Sequence, residues 1–320
     1  MPHANSLIVA LAQLAPVWLD REATIMKVLN AMDQAAAEGA SLVCFGESLV
    51  PGYPFWLERT NGAEFDSPTQ KTLHARYLDQ AVNIEQGHLA PVCERAKEHG
   101  LTVVLGTAER AADRGGHSIY CSLVYIDATG EILHVHRKLM PTYEERLSWS
   151  PGDGHGLRVH SCGPFTVGAL NCWENWMPLP RAALYAQGEN LHVAIWPGSQ
   201  RNTRDITRFI AREGRSYVLS VSGLMRPEDA PQDVPFRDEI FSAGEGYLAN
   251  GGSCIAGPDG EWLLEPQVDR EGVFLATLDF TRVLEERQNF DPAGHYSRPD
   301  VTRLEVDRTR QSTAVFSEQD

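Results

Sequence analysis

The chain has 320 residues, of which 42% are hydrophobic and 22% are charged, a composition typical of a folded globular protein with a large buried core. The 43 acidic residues outnumber the 28 basic residues and give a formal net charge of -15, which argues against a nucleic acid partner because it would repel a phosphate backbone. The first residues lack the pattern of a secretory signal and no apolar run approaches the roughly 20 residues that cross a bilayer, so we expect a cytoplasmic protein with no membrane partner.

Short apolar runs rich in β-branched residues recur along the chain and predict strands. In chain order they are LIVALAQL, SLVCFGE, LTVVLGTAE, CSLVYIDATGEIL, FTVGALNCW, LHVAIWPGS, SYVLSVSGL, GSCIAGPDGEWLL and GVFLATLDF. Segments with helical period lie between several of them, at 20–38, 87–99 and 178–188, and each ends at or near a glycine. Because strands and helices alternate, the sequence predicts an α/β layered fold.

The organisation of the chain favours one domain. Turn sequences at 127–131 and 257–261 predict hairpins and therefore a mixed sheet. Neither a linker rich in proline and serine nor a repeat of fixed period divides the chain. We therefore expect a single domain over residues 1–320, with 302–320 as a short C-terminal tail. The prolines and acidic residues of 226–245 predict a long surface loop.

Cys172 differs from the other cysteines because a predicted strand runs directly into it and a helix is predicted soon after. At such a strand-to-loop corner α/β folds carry reacting groups, and the amide of Trp173 can face a developing negative charge. A buried structural cysteine is the alternative interpretation. Without CxxC pairs, the cysteines predict free thiols and neither a zinc site nor a disulfide framework. They are Cys44, Cys93, Cys121, Cys162, Cys172 and Cys254.

Glu47 and Lys138 also stand at the ends of apolar strands. A glutamate in a partly desolvated pocket has a raised pKa and can act as a general base near neutral pH. The alternatives are a capping or surface glutamate and a solvated lysine. Because strand ends in a parallel arrangement converge on one crevice, the sequence permits a site that combines Glu47, Lys138 and Cys172. Sequence separation alone leaves their adjacency open.

Three segments that carry these residues resemble the nitrilase superfamily, whose catalytic residues are a glutamate, a lysine and a cysteine. The segments read FGESLVPGYPFW, HRKLMPTYEERLSW and NCWENWMPLPR. Two more, WPGS at 196–199 and GHYSRPDV at 294–301, resemble the true nitrilase branch. The resemblance implies an α-β-β-α sandwich as a single carbon–nitrogen hydrolase domain and gives Glu145 the part of a second carboxylate near Lys138. It also implies hydrolysis of a nitrile to the acid and ammonia through a thioimidate and a thioester on Cys172.

The substrate pocket is predicted from aromatic and polar residues beside the motif residues. An aromatic lining would accept the organic part of a nitrile, although each of these side chains fits ordinary core filling equally well. The candidate substrate-binding residues are Tyr53, Trp56, Thr142, Tyr143, Trp149, Trp173 and Trp196. The expected partner is a small nitrile, and the resemblance implies a homodimer or a larger homo-oligomer.

Other functions stay open at this point. An amidase or carbamoylase on the same fold would use the same three residues, since attack on an amide also leads to a thioester. A non-catalytic scaffold would be expected to have lost one of them. His134 and His136 alternate on a strand beside Lys138 and could bind a metal, but without further ligands nearby a structural role is favoured. We therefore expect neither a metal nor a cofactor.

Overall fold

The structure is a computed structural model that describes residues 5–242, 244–314 and 317, and within these residues thirteen strands form two sheets. The strands are β1 (Ser6–Gln13), β2 (Leu42–Phe45), β3 (Thr102–Arg110), β4 (Ile119–Ile126), β5 (Ile132–Arg137), β6 (His160–Cys162), β7 (Phe165–Asn171), β8 (Leu191–Trp196), β9 (Tyr217–Ser222), β10 (Leu224–Met225), β11 (Ala249–Ala256), β12 (Trp262–Val268) and β13 (Gly272–Asp279). The α-helices are α1 (Arg21–Ala37), α2 (Trp56–Arg59), α3 (Pro68–Gln80), α4 (Ala90–His99), α5 (Pro178–Tyr185), α6 (Gln200–Gly214), α7 (Arg237–Ile240) and α8 (Phe280–Arg287).

Both sheets are mixed, as the hairpin signals predict. The first has the order β13-β1-β2-β3-β4-β5, and β1, β2 and β3 are parallel in it. The second has the order β10-β11-β9-β8-β7-β6, with β7, β8 and β9 parallel and β12 paired to β11. The predicted hairpins are the β4–β5 and β11–β12 connections. Each sheet therefore has a parallel centre, whose strands leave their carboxyl ends free for functional side chains.

The two sheets pack face to face and share one core. Successive side chains of β1 point to opposite faces of the sheet: Val9 and Leu11 face the second sheet, while Ala10 and Ala12 face the outer helix layer. Because central strands are buried on both sides, they read as continuous apolar runs rather than as alternating ones. The continuous runs in the sequence are therefore explained by burial between a sheet and a helix layer.

Helices cover the outer face of each sheet. Helices α1 and α4 pack on the first sheet, and α6 packs on the second through Ile206 and Ile210. Asp20 caps α1 by accepting a hydrogen bond from the Ala23 amide at 2.9 Å, which satisfies one of the free amides at the helix start. With helices outside both sheets, the architecture is the predicted α-β-β-α sandwich in one domain.

Sequence and structure differ mainly at the connections. The predicted helices at 20–38, 87–99 and 178–188 occur as α1, α4 and α5. The predicted loop 226–245 contains α7, and its apolar residues Val234 and Ile240 are buried. Of the predicted tail 302–320, residues 315, 316 and 318–320 lie outside the described residues, and its boundary stays a prediction. None of the helices in the described part of the chain has the length and apolar composition needed to span a bilayer.

Candidate active site

Glu47 follows β2 by two residues and enters the interior at the carboxyl end of that strand. Its backbone amide donates a hydrogen bond to the Trp196 carbonyl at 3.1 Å, which ties it to the end of β8 in the other sheet. Close approach of the neighbouring strand β3 requires Gly106, because a Cβ there would lie 2.1 Å from the Gly46 carbonyl oxygen. The backbone thus places the Glu47 side chain between the two sheets.

Cys172 follows β7 and begins a 3-10 turn over Cys172–Trp176. Its side chain is buried, and its φ of 46° lies in the left-handed region that side chains other than glycine rarely adopt. The side-chain Nδ2 of Asn175 holds this turn by donating to the Cys172 backbone carbonyl at 2.8 Å, and the side-chain Oδ1 of Asn175 is 2.7 Å from Nε2 of His192. Such strain at a reactive corner is typical of functional sites.

Lys138 joins two carboxylates. It follows β5 directly, and its amide donates to the Cys121 carbonyl at 2.8 Å. Its fully buried Nζ donates to Oε1 of Glu47 at 2.8 Å and to Oε2 of Glu145 at 2.7 Å. The ring of Trp149 lies 5.6 Å from the same Nζ. Two charge-assisted hydrogen bonds fix the ammonium between the carboxylates.

Glu145 is held by its own turn. It lies in the 3-10 turn Tyr143–Leu147, and its Oε2 accepts from the backbone amide of Thr142 at 2.6 Å. Its Oε1 accepts from the Tyr53 hydroxyl at 2.9 Å. Both oxygens therefore accept hydrogen bonds, which hold the Glu145 side chain in a fixed orientation beside Lys138.

The distances bring the thiol into the same cluster. One carboxylate oxygen of Glu47, one of Glu145 and Sγ of Cys172 all lie within 4.8 Å of one another. Such a group could hold a metal ion by distance, but the Lys138 ammonium already contacts both carboxylates. The chain itself therefore supplies the positive charge that these anions need.

Burial sets the protonation states in this cluster. Desolvation raises the pKa of Glu47 to about 7, and Glu145 adds to the rise while Lys138 opposes it. Burial and the Glu47 carboxylate raise the pKa of the Cys172 thiol well above its ordinary value, against Lys138 and the Trp173 amide. Burial alone would lower the pKa of Lys138, but the surrounding acidic groups hold it well above normal. The resting site therefore has a neutral thiol, a charged lysine and a base that titrates near neutrality.

Glu174 is a buried residue at the site that sequence reasoning missed. Its side chain accepts from the backbone amides of Leu139 at 2.6 Å and Asn171 at 2.9 Å. Nε2 of His136 lies 3.0 Å from the same carboxylate. The hydrogen bonds to Leu139, His136 and Asn171 connect the lysine segment with the cysteine segment. An acidic residue two positions after Cys172 was the available signal.

The predicted pocket residues divide into three groups. Tyr53, Trp149 and the backbone of Thr142 contact the catalytic candidates. Trp56 is buried in an apolar cluster beside Tyr77, whereas Trp196 is buried in the apolar cluster that also contains Cys172 and residues of α6. Tyr143 and Trp173 are exposed by 82% and 50%. The structure therefore brings some of these side chains to the site and places others in the core or at the surface.

The two histidines on β5 have separate partners. His134 Nδ1 lies 2.7 Å from Nε2 of His160, and their rings stack with Tyr125 nearby. His136 instead faces Glu174. Burial lowers the pKa of His134 well below its ordinary value, so its ring is neutral near pH 7. Each imidazole thus has a structural partner of its own.

Comparison with known proteins agrees with this geometry. The family model described as "Carbon-nitrogen hydrolase" matches residues 8–288. The chain is 37% identical to "Nitrilase 2" of an unknown prokaryotic organism, over 100% of this chain and 98% of the relative. It is 38% identical to the "Nitrilase" of Pseudomonas syringae pv. syringae, over 93% of this chain and 89% of the relative. An "Aliphatic nitrilase" of Rhodococcus rhodochrous is 33% identical, over 98% and 86%.

Solved structures share the fold at lower identity. A carbon–nitrogen hydrolase from Helicobacter pylori G27 superimposes with a TM-score of 0.68 at 19% identity, covering 93% of this chain and 99% of that one. An amidase from Nesterenkonia sp. gives a TM-score of 0.66 at 17% identity, covering 90% of this chain and 95% of that one. These similarities support the sandwich architecture.

Proposed function

The chain belongs to the carbon–nitrogen hydrolase family, and on that premise we propose that it is a nitrilase that hydrolyses an organic nitrile to its carboxylic acid and ammonia. The observation that carries the proposal is the buried cluster in which Lys138 bridges Glu47 and Glu145, with Sγ of Cys172 within 4.8 Å of both carboxylates. Relatives named nitrilase that match nearly the whole chain support nitriles as the substrate class.

In the first step, the Cys172 thiol attacks the nitrile carbon. The thiol is neutral at rest, so its proton passes to Glu47 as the carbon–sulfur bond forms. One electron pair of the carbon–nitrogen triple bond moves to nitrogen, which then takes the proton from Glu47. The product is a thioimidate. Lys138 and the Trp173 amide stabilise the negative charge that develops on nitrogen.

In the next steps, two waters complete the hydrolysis. Glu47 takes a proton from the first water as it adds to the thioimidate carbon, and passes it to the nitrogen, which gives a tetrahedral intermediate with a hydroxyl and an amino group. Glu47 then transfers the hydroxyl proton to the amino group, so that the carbon–nitrogen bond breaks, ammonia departs and the thioester carbonyl forms. A second water, activated in the same way, releases the carboxylic acid and restores the thiol. Glu145 keeps the Lys138 ammonium in place throughout, because both of its oxygens are already bonded.

Ammonia release from a panel of nitriles and from their matching amides tests this function. We expect the wild type to release ammonia from one or more nitriles and to form the acid, and the Cys172→Ala variant to release none. Hydrolysis of the amides with no reaction on any nitrile would contradict the nitrilase proposal and favour an amidase.

Assembly and location are also proposals. We propose a homodimer or a larger homo-oligomer, supported by exposed apolar side chains on neighbouring elements, Trp176 after β7, Leu179 on α5 and Phe209 on α6. Light scattering of the purified chain tests this, and a monomeric mass at working concentration would contradict it. We also propose a cytoplasmic location, which cell fractionation tests.

A further inference from the structure

Cys121 is a second buried thiol in the site and has no part in the reaction steps above. It lies on β4, opposite Lys138, since the Lys138 amide donates to the Cys121 carbonyl and the adjacent pair Ser122–Arg137 is in register. Residues opposite each other in an antiparallel pair project from the same face of the sheet. The register therefore places the Cys121 side chain next to that of Lys138.

The Cys121 thiol contacts one particular oxygen of Glu47. Its Sγ donates to Oε1 at 3.2 Å, and the alternative acceptor, Oδ1 of Asn171, is farther away at 4.0 Å. The same Oε1 accepts from Lys138 Nζ at 2.8 Å. Among the residues that the structure describes, the buried Oε2 of Glu47 has no hydrogen-bond partner. Oε1 of Glu47 therefore accepts two hydrogen bonds, whereas Oε2 accepts none from the described residues.

We propose that Cys121 is a positioning residue, which together with Lys138 occupies Oε1 of Glu47 and leaves Oε2 as the oxygen that accepts the Cys172 proton. This inference rests on the proposed function, because it assigns the base oxygen of that mechanism. A carboxylate oxygen with two donors is a poor proton acceptor, whereas the bare oxygen keeps its lone pairs free. The orientation of the carboxylate thus decides which oxygen is basic.

A thiol suits this position because it stays a donor. Burial and the neighbouring Glu47 charge raise the pKa of the Cys121 thiol well above its ordinary value, so the sulfur keeps its proton near pH 7. A hydrogen bond donated to a carboxylate favours its charged form. Loss of this donor should therefore raise the pKa of Glu47. The titratable groups that face Glu47 are Lys138, Glu145, Cys121, Cys172 and Tyr53.

The test measures the acid limb of kcat/KM against pH in variants of Cys121. Cys121→Ala and Cys121→Val both lack the hydrogen-bond donor. The alanine leaves a cavity where the sulfur was and the valine fills it, and in both variants the midpoint of the acid limb should rise by about one pH unit. Cys121→Ser keeps a donor and should leave the limb at or below the wild-type pH. Cys254→Ala is the matched control, since Cys254 is equally buried but donates to Thr207; its limb should not move.

The rate of alkylation of Cys172 by iodoacetamide, followed by peptide mapping across the same pH range, provides a readout that needs no substrate. Its midpoint should shift upward in the alanine and valine variants and not in the serine variant. Failure of the wild type to hydrolyse nitriles or amides would defeat the proposed function, and the alkylation midpoints would still decide the part of Cys121. Midpoints that coincide in the wild type, Cys121→Ser and Cys121→Val would overturn the inference, whatever their maximal rates.

Discussion

Glu174 accepts a hydrogen bond of 2.6 Å from the backbone amide of Leu139, and this contact ties the residue two positions after Cys172 to the residue that follows Lys138. The other carboxylate oxygen accepts from the Asn171 amide at 2.9 Å. One buried side chain therefore sets the spacing between the end of β5 and the end of β7, which belong to different sheets. The separation of Lys138 and Cys172 depends on this connection.

Glu174→Ala should destabilise the protein and reduce turnover. The change leaves the buried Asn171 amide, the buried His136 ring and the partly buried Leu139 amide without their acceptor, and each buried group costs about 1–3 kcal/mol. We expect a loss of at least about 3 kcal/mol in the free energy of unfolding, measured with urea. Replacement of the exposed Glu94 by alanine is the control and should change stability by less than about 0.5 kcal/mol. Equal stability of both variants would contradict the bridging function.

Lys138→Ala should abolish turnover and destabilise the protein in a pH-dependent way. Without the ammonium, the Glu47 and Glu145 carboxylates lie buried close together with no positive partner. Removing one partner of a buried ion pair costs about 3–5 kcal/mol of folding free energy. Protonation of a carboxylate relieves this repulsion, so the loss of stability should be larger at pH 8 than at pH 5. Urea unfolding of variant and wild type at both pH values measures it. A loss that is the same at both would show that the charges do not interact as described.

The value of kcat/KM should rise with pH, with a midpoint near 7. Burial raises the pKa of Glu47 to about 7, and the carboxylate must be unprotonated to act as the base. Below this pH, Glu47 is protonated and cannot take the Cys172 proton. A pH profile with a saturable nitrile measures the midpoint. Glu47→Gln should lose activity at every pH, by several orders of magnitude. An acid limb near the ordinary glutamate pKa would show that burial does not control this group.

Tyr53→Phe should lower kcat with little change in KM. The Tyr53 hydroxyl donates to Oε1 of Glu145 at 2.9 Å, and a hydrogen bond to a charged group is worth about 1.5–3 kcal/mol, so we expect kcat to fall by about 10–100-fold. The alternative is the substrate-binding role that the sequence predicts for Tyr53. Steady-state kinetics separate the two, since a rise in KM with unchanged kcat would indicate direct contact with substrate.

The sequence predicts the strands and the positions of Glu47 and Cys172 for a common reason. Their strands β2 and β7 lie inside the sheets and are almost fully buried, so an apolar run that stops at a polar residue marks a group at the end of a strand. Lys138 instead follows the edge strand β5, which is antiparallel to β4 and only partly buried. The resemblance to a known family added Glu145, whose contact with Lys138 depends on a tight turn within the same motif. Local sequence therefore carried most of this information.

The remaining features depend on contacts between distant segments. The contacts of Glu174 and Cys121 could not be predicted from local sequence, since their partners lie 35 and 74 positions away. The aromatic residues divided between core and site, as Trp56 beside Tyr77 and Trp149 beside Lys138 illustrate. Composition cannot separate these cases, because both environments bury an aromatic ring. Tertiary packing alone decides which ring faces the ammonium.

In the proposed mechanism, the Cys172 thiol forms a covalent bond with the substrate carbon. Rapid quenching of the enzyme with a slowly hydrolysed nitrile, followed by intact-mass and peptide mass spectrometry, measures this directly. We expect a substrate adduct on the peptide that contains Cys172 in the wild type, and neither adduct nor ammonia release in a folded Cys172→Ala variant. Ammonia release by Cys172→Ala at the wild-type rate, or an adduct on another residue such as Cys121, would contradict it.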